Sequence, residues 1–262
     1  MPNNSIYAIP QKVTDIKECG FYHTMDIPGY GVVKGLFDLR QGAREYLGNV
    51  DFNGKRVLEL GTASGFLCFH MESKGAEVVS YDLSENDLWD IVPHFKNDYE
   101  KCVAERKKSA KRLNNAYWFT HEALNSKARL VNGTVYAIPR EIGMVDISTF
   151  GAILLHVRDP FLALQNALRL TRETVIITEG AGSYLLRKMR LPNLPYMEFV
   201  PTTRAVGYSD TWWKLSPSVL RRMIAILGFE DVNVSYHWQK YMNHKVRFLT
   251  IVGRRTREYY DY

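Results

Sequence analysis

Residues 57–66 read VLELGTASGF: an apolar run broken by one acid, Glu59, then two glycines four positions apart, Gly61 and Gly65. The run Lys55–Leu60 has the length and aliphatic content of a short buried strand. The stretch after it, GFLCFHMESKG, has helical length and closes on Gly75, a residue suited to a left-handed cap. Strand, small-residue turn and helix open a βαβ unit, whose ligand lies beyond the carboxyl end of the strand. Gly61 permits a tight turn with unusual backbone angles, and Gly65 lets the helix approach closely. The spacing is G-x-x-x-G and lacks the third glycine of a G-x-G-x-x-G pyrophosphate cradle. A carboxylate entering such a turn repels phosphate and suits a cation.

The pattern continues on both sides. AEVVSYDL is a second strand closed by Asp82, ARLVN a third, MVDISTFGAILL a fourth and ETVIITEG a fifth. Asp159-Pro160 before FLALQNALRL and Ser216-Pro217 within LSPSVLRRMIAILG are helix starts, with a capping side chain followed by proline at the first helical position. DVNVSYHWQ and VRFLTIVGR are close enough in sequence to pair. Strands separated by helices imply right-handed crossovers and a parallel sheet. The prediction is an α/β fold: a Rossmann-like, seven-stranded, mostly parallel sheet with an antiparallel C-terminal edge strand. Residues 1–50 form an N-terminal segment, a candidate lid, and 51–262 the ligand-binding domain. Ser84–Lys127 interrupts the rhythm. Tyr99, Val103, Ala110, Leu113, Tyr117 and Leu124 predict a helical apolar stripe there, and ERKKSAKR (Glu105–Arg112) the opposite, basic face, either solvated or turned toward nucleic acid.

Composition narrows the function classes. A chain of 262 residues, 46% hydrophobic and 24% charged, is globular in type. Its apolar runs are too short for a membrane helix, which needs about 20 residues. No secretory signal is visible at the start, and three widely spaced cysteines fit neither a zinc knuckle nor a disulfide framework. A cytoplasmic protein with a metal-free site is expected. The net charge of +6 permits an anionic partner without requiring one.

Asp82, at the end of the second strand, is placed to accept the hydroxyls of a ribose. A ligand with a ribose, a positive charge and no phosphate is S-adenosylmethionine (SAM). In order and spacing, VLELGTASGF, VVSYDLS and VDISTFGAILLHVRDP resemble the successive motifs of class I SAM-dependent methyltransferases, over roughly Asp51 to Arg254. A nicotinamide-binding protein would want the third glycine and a redox constellation, and neither is visible. The resemblance implies that Glu59, Gly61, Thr62, Ala63 and Gly65 surround the methionine end, that Asp82 holds the ribose and Leu83 packs on the adenine. Thr134 and Val135 take the place of the acid that often accepts from the adenine amino group, and Phe150 and Gly151 face the sulfonium.

Three further stretches, FYHTMDIPGYGVVKGLFDLR, FGAILLHVRDPFLALQ and TWWKLSPSVLRRMIAILGF, resemble bacterial relatives of the tRNA wobble-uridine carboxymethyltransferase. There a tyrosine in an LYH triplet helps recognise a carboxylated cofactor. The triplet here is LLH, with Leu155 at that place, which implies plain SAM and simple methyl transfer. Candidate catalytic groups are His156 after the fourth strand, His23 and Tyr22 in the N-terminal segment, and Glu179 at the end of the fifth. The segment from about 181 to 215 is too long for a plain connector, and its Tyr184, Tyr196, Phe199, Trp212 and Trp213 are candidate acceptor contacts. The function expected is methyl transfer to an O or N nucleophile of a small molecule. The alternatives are a tRNA- or RNA-modifying methyltransferase and a catalytically inactive SAM-binding protein. A monomer or a homodimer is expected.

Overall fold

The computed structural model describes residues 5–87, 89–181, 194–203 and 210–258. Eight strands form the central sheet: β3 (Phe37–Asp38), β4 (Arg56–Leu60), β5 (Glu77–Asp82), β6 (Arg129–Asn132), β7 (Val145–Gly151), β8 (Thr171–Gly180), β11 (Asp231–Tyr241) and β12 (His244–Arg254). Their order is β3-β11-β12-β8-β7-β4-β5-β6. Strands β6, β5, β4, β7 and β8 run parallel, while β12 is antiparallel to both β8 and β11. Two expectations are corrected. The antiparallel strand lies inside the sheet, between β8 and β11, because its 11 residues pair along both sides. The sheet also has an eighth strand, since β3 from the N-terminal segment pairs with the end of β11.

Side chains alternate across the sheet, as pleating requires. Val57, Val78, Ile147 and Ile176 enter one core beneath α1 (Ala43–Tyr46), α2 (Phe66–Ser73) and α3 (Tyr99–Ala123). Leu58, Leu60, Phe150, Val175 and Ile177 enter a second beneath α4 (Pro160–Leu168) and α5 (Pro217–Ile226). The capping readings hold: Asp159 accepts from the Leu162 amide at 2.9 Å and Ser216 from the Val219 amide at 3.2 Å.

The helix between β5 and β6 is shorter than the interrupted stretch. It starts only at Tyr99, after Pro93, with Asp98 as its cap. Its buried face also differs from the expected stripe: Ala110 and Tyr117 are buried, whereas Tyr99 and Leu124 are exposed and Cys102, Trp118 and Phe119 take their place. Helical periodicity identified the element but drifted over 25 residues.

The N-terminal segment packs on the sheet and does not stand apart from it. A β1–β2 ribbon (Met25–Ile27, Gly31–Val33) and residues Leu39, Tyr46 and Leu47 join the first core. Tyr7 bridges to Val131 at the β6 edge, and the Ala8 amide donates to the Leu130 carbonyl at 2.7 Å. Among the described residues no helix is long and apolar enough to cross a membrane.

Candidate functional site

The chain leaves β4 for β5 and β6 on one side, then returns to β7 and β8 on the other, so the carboxyl ends of β4 and β7 form the switch point at which an open α/β sheet takes its ligand. The turn there is built from glycine. Gly61 has φ 79°, and a Cβ would stand 2.3 Å from Ile153 Cγ2; Gly65 has φ 88°, with Phe69 Cε2 at 2.4 Å. Between them Ala63 also adopts a left-handed conformation, φ 50°, and its amide donates to Asp82 Oδ2 at 2.6 Å. The Leu83 amide donates to Oδ1 at 2.7 Å. Each Asp82 oxygen keeps a lone pair for a further donor, so a vicinal diol fits this carboxylate. Burial pushes the Asp82 carboxyl up to about 6, against these two amides.

Glu59 turns inward beneath the loop. It accepts from the Thr62 hydroxyl at 2.6 Å, and hydrogen bonds from Ser80 and the Cys68 amide reach it as well. Burial raises its carboxyl to about 7. Glu59 thus ties the turn to β5 and to the first turn of α2, which places the Gly61–Gly65 backbone. Glu179 is 4% exposed, accepts from the Leu154 amide at 2.9 Å, and is raised by burial to about 8. The Tyr22 phenol feels the charges of Asp210 and Glu179, and the buried Tyr46 phenol those of Glu179 and Glu59. Burial raises Tyr22 to about 12. A Cβ on Gly151 would stand 3.6 Å from the Tyr46 hydroxyl. Glu59, Glu179, Tyr22, Tyr46 and Gly151 therefore share one neighbourhood.

The N-terminal segment is stitched to the turn, since the Tyr22 and His23 amides lie 3.2 and 3.4 Å from Ser64 Oγ. His23 is buried among Tyr22, Phe37 and Phe66, and burial lowers its imidazole to about 3. Among the described residues, His23 Nδ1 and Thr149 Oγ1 are buried polar atoms without a partner. Phe150 lies in the second core. The Thr134 carbonyl accepts from the Tyr81 hydroxyl and the Val135 carbonyl from Asn166, so both main-chain oxygens are engaged.

His156 ends the turn Leu154–His156, and its Nδ1 lies 2.7 Å from the Asp210 carbonyl. Of the acceptor candidates, Trp212 donates its indole N–H to the Asp90 carbonyl and Trp213 to that of Arg158, which pins the ribbon of β9 (Met197–Phe199) and β10 (Trp213–Leu215) against the Leu154–His156 turn. Tyr196 pairs through its backbone with Ser216, and Phe199 is 55% exposed. Tyr184 lies outside the described residues. Sequence reasoning missed Tyr46, Ser64, Ser80, Arg106 and Asp210. Their partners are far away in sequence, and no spacing rule links them. A groove of about 470 Å³ at the opposite end of the sheet holds the paired Lys55 and Glu173 and is remote from these groups.

The donor set suits SAM. Asp82 can take a diol, and the turn offers side-chain-free backbone. Comparison with solved structures agrees on architecture. The chain resembles magnesium protoporphyrin IX methyltransferase from Synechocystis PCC 6803 with bound S-adenosylhomocysteine (SAH), at TM-score 0.52 and 14% identity, over 82% of this chain and 81% of that one. It also resembles the N-terminal domain of EvdMO1 with SAH and D-fucose, at TM-score 0.54 and 19% identity, over 88% and 90%. The fold is that of the class I methyltransferases. No protein-family model matches the chain, and no curated protein sequence matches it.

Proposed function

We propose that this chain is a SAM-dependent methyltransferase acting on an O or N nucleophile of a small molecule. The observation that carries the reading is Asp82, held by two amides at the end of β5 beside the Gly61–Gly65 turn, in a crevice walled by acids. Two fold neighbours, described as a protoporphyrin methyltransferase and a domain with SAH and D-fucose, support it. When bound, SAM supplies an electrophilic methyl group on a sulfonium.

The protein's part is to bind, align and exclude water. Asp82 holds the ribose, with Leu83 beside the adenine and Thr134 and Val135 beyond it. Thr62, Ala63 and Gly65 present backbone to the methionine end, and Glu59 acts on its ammonium through the turn. Gly151 leaves room next to Tyr46, and Phe150 supports that strand from below. Tyr22 and His23 of the N-terminal segment close over the Gly61–Gly65 turn, while the apolar side chains of that segment stay in the core. Tyr196, Phe199, Trp212 and Trp213 wall the acceptor side, and Glu179 faces a cationic acceptor. His156 takes the proton that an acceptor hydroxyl or ammonium loses. The Leu155 side chain has no donor for a carboxylated cofactor, so the methyl donor is plain SAM.

Calorimetry on folded, ligand-stripped protein tests the reading. Heat with both SAM and SAH is expected, and no heat with either removes it. An RNA acceptor is the second reading, favoured by Phe95, 78% exposed with Lys96 5.6 Å from its ring centroid. It requires salt-sensitive binding of bulk tRNA. A SAM binder without turnover would bind in the same experiment and transfer no methyl.

A further inference from the structure

His156 is fixed from one side. Its Nδ1 lies 2.7 Å from the Asp210 carbonyl oxygen, and a carbonyl only accepts, so that nitrogen carries the hydrogen. Nε2 makes no hydrogen bond to any described residue, and the side chain is 31% exposed. The Asp210 carboxylate faces the same ring at 3.9 Å and is itself held by Arg106 of α3 at 2.8 Å. Arg106 lies over the Trp89 ring, 5.2 Å from its centroid. Two residues on, the Trp212 amide donates to the Leu155 carbonyl at 2.8 Å. Residues 210–212 are thus clamped between the turn that carries His156 and a helix that starts more than a hundred residues earlier. On the elements packed here, Glu179 of β8 accepts from the Leu154 amide, the Tyr22 phenol feels the Asp210 charge, and Arg158, two residues beyond His156, has its Nε 3.5 Å from Asp90.

We propose that Arg106 and Asp210 are a positioning pair that holds His156 with its hydrogen on Nδ1 and leaves Nε2 bare to accept a proton. The ion pair acts through the backbone: it fixes where the Asp210 carbonyl stands, and the carbonyl fixes the ring. The role of the bare nitrogen in catalysis rests on the methyltransferase reading, whereas the tautomer does not.

The test is long-range proton–nitrogen NMR on the full chain with labelled histidine, free and saturated with SAH. Wild-type His156 is expected to show a protonated Nδ1 and an unprotonated Nε2. Arg106→Met and Asp210→Asn should each move the population toward the Nε2–H form that a free imidazole favours, and Arg106→Lys should restore most of the wild-type signal. SAH affinity by calorimetry should stay within about twofold in all three variants, which reports that the fold is intact. A wild-type His156 protonated on Nε2 overturns the proposal without any variant, and so does an unchanged signal in both disrupted variants. Wild-type protein that shows the expected tautomer but binds no SAH leaves the positioning pair standing and removes the methyltransferase reading.

Discussion

Asp82 accepts two main-chain amides and still has lone pairs free, so its replacement removes a charged acceptor from the ligand while leaving the turn to rearrange. Asp82→Ala is expected to weaken SAM and SAH binding about 10- to 100-fold, the worth of hydrogen bonds to a charged group. Unchanged affinity in a calorimeter would place the ribose elsewhere. His156→Ala should lower methyl transfer about 100-fold with SAH affinity kept, since a positioned base contributes on that scale. Retained turnover would make the ring a packing residue. Glu179 gives a pH prediction. Its folded carboxyl, raised to about 8, binds its proton more tightly than the ordinary unfolded value of about 4.3. Its contribution to stability is complete below the unfolded value and is lost as pH rises through the folded one. Glu179→Gln keeps an acceptor for Leu154 and cannot ionise. The unfolding free energy of the unliganded protein, from urea titrations, should therefore fall less between about pH 5 and about pH 8 in the variant, by roughly 1–4 kcal/mol. Equal slopes would show that Glu179 ionises freely in the fold.

The helices and strands were the most legible part of the sequence. Gly61, Gly65, the Asp159-Pro160 and Ser216-Pro217 pairs and the apolar runs are local signals, and each marks the element it predicted. The details that failed depend on distant partners. Nothing within Phe37–Asp38 announces a strand, because it is made by pairing with Lys240 and Tyr241. Nothing in ERKKSAKR separates a solvated charge from Arg112, whose guanidinium donates to the Lys17 and Cys19 carbonyls, or from Arg106, which binds Asp210. In the site the turn and Asp82 were readable, whereas the inward direction of Glu59 is set by Thr62, Ser80 and Cys68 together. Ser216 shows how one cap can serve two elements. Its hydroxyl oxygen accepts from the Val219 amide in α5 and from the Tyr196 amide before β9. Ser216→Ala should cost about 1–3 kcal/mol in urea unfolding, beyond an ordinary cap, because a second amide loses its partner. A loss below about 0.5 kcal/mol would mean that water replaces the hydroxyl at both amides.

At the scale of the whole molecule, the N-terminal segment from residue 5 to residue 50 is part of the core. Met25, Ile27, Leu39 and Tyr46 are nearly inaccessible and pack with residues of β4, α2 and α3. A chain lacking residues 1–50 should show no cooperative urea transition by circular dichroism, since a large apolar surface is left uncovered. A sharp transition near that of the full chain would make the segment an appendage, free to serve only as a lid.

The pairing of β3 with the end of β11 also sets a timetable. Phe37 and Asp38 leave the ribosome about two hundred residues ahead of Tyr241 and Lys240, and until those arrive this rim of the sheet has nothing to join. This short strand must therefore wait for a partner made much later, with its apolar side chains unsheltered during translation.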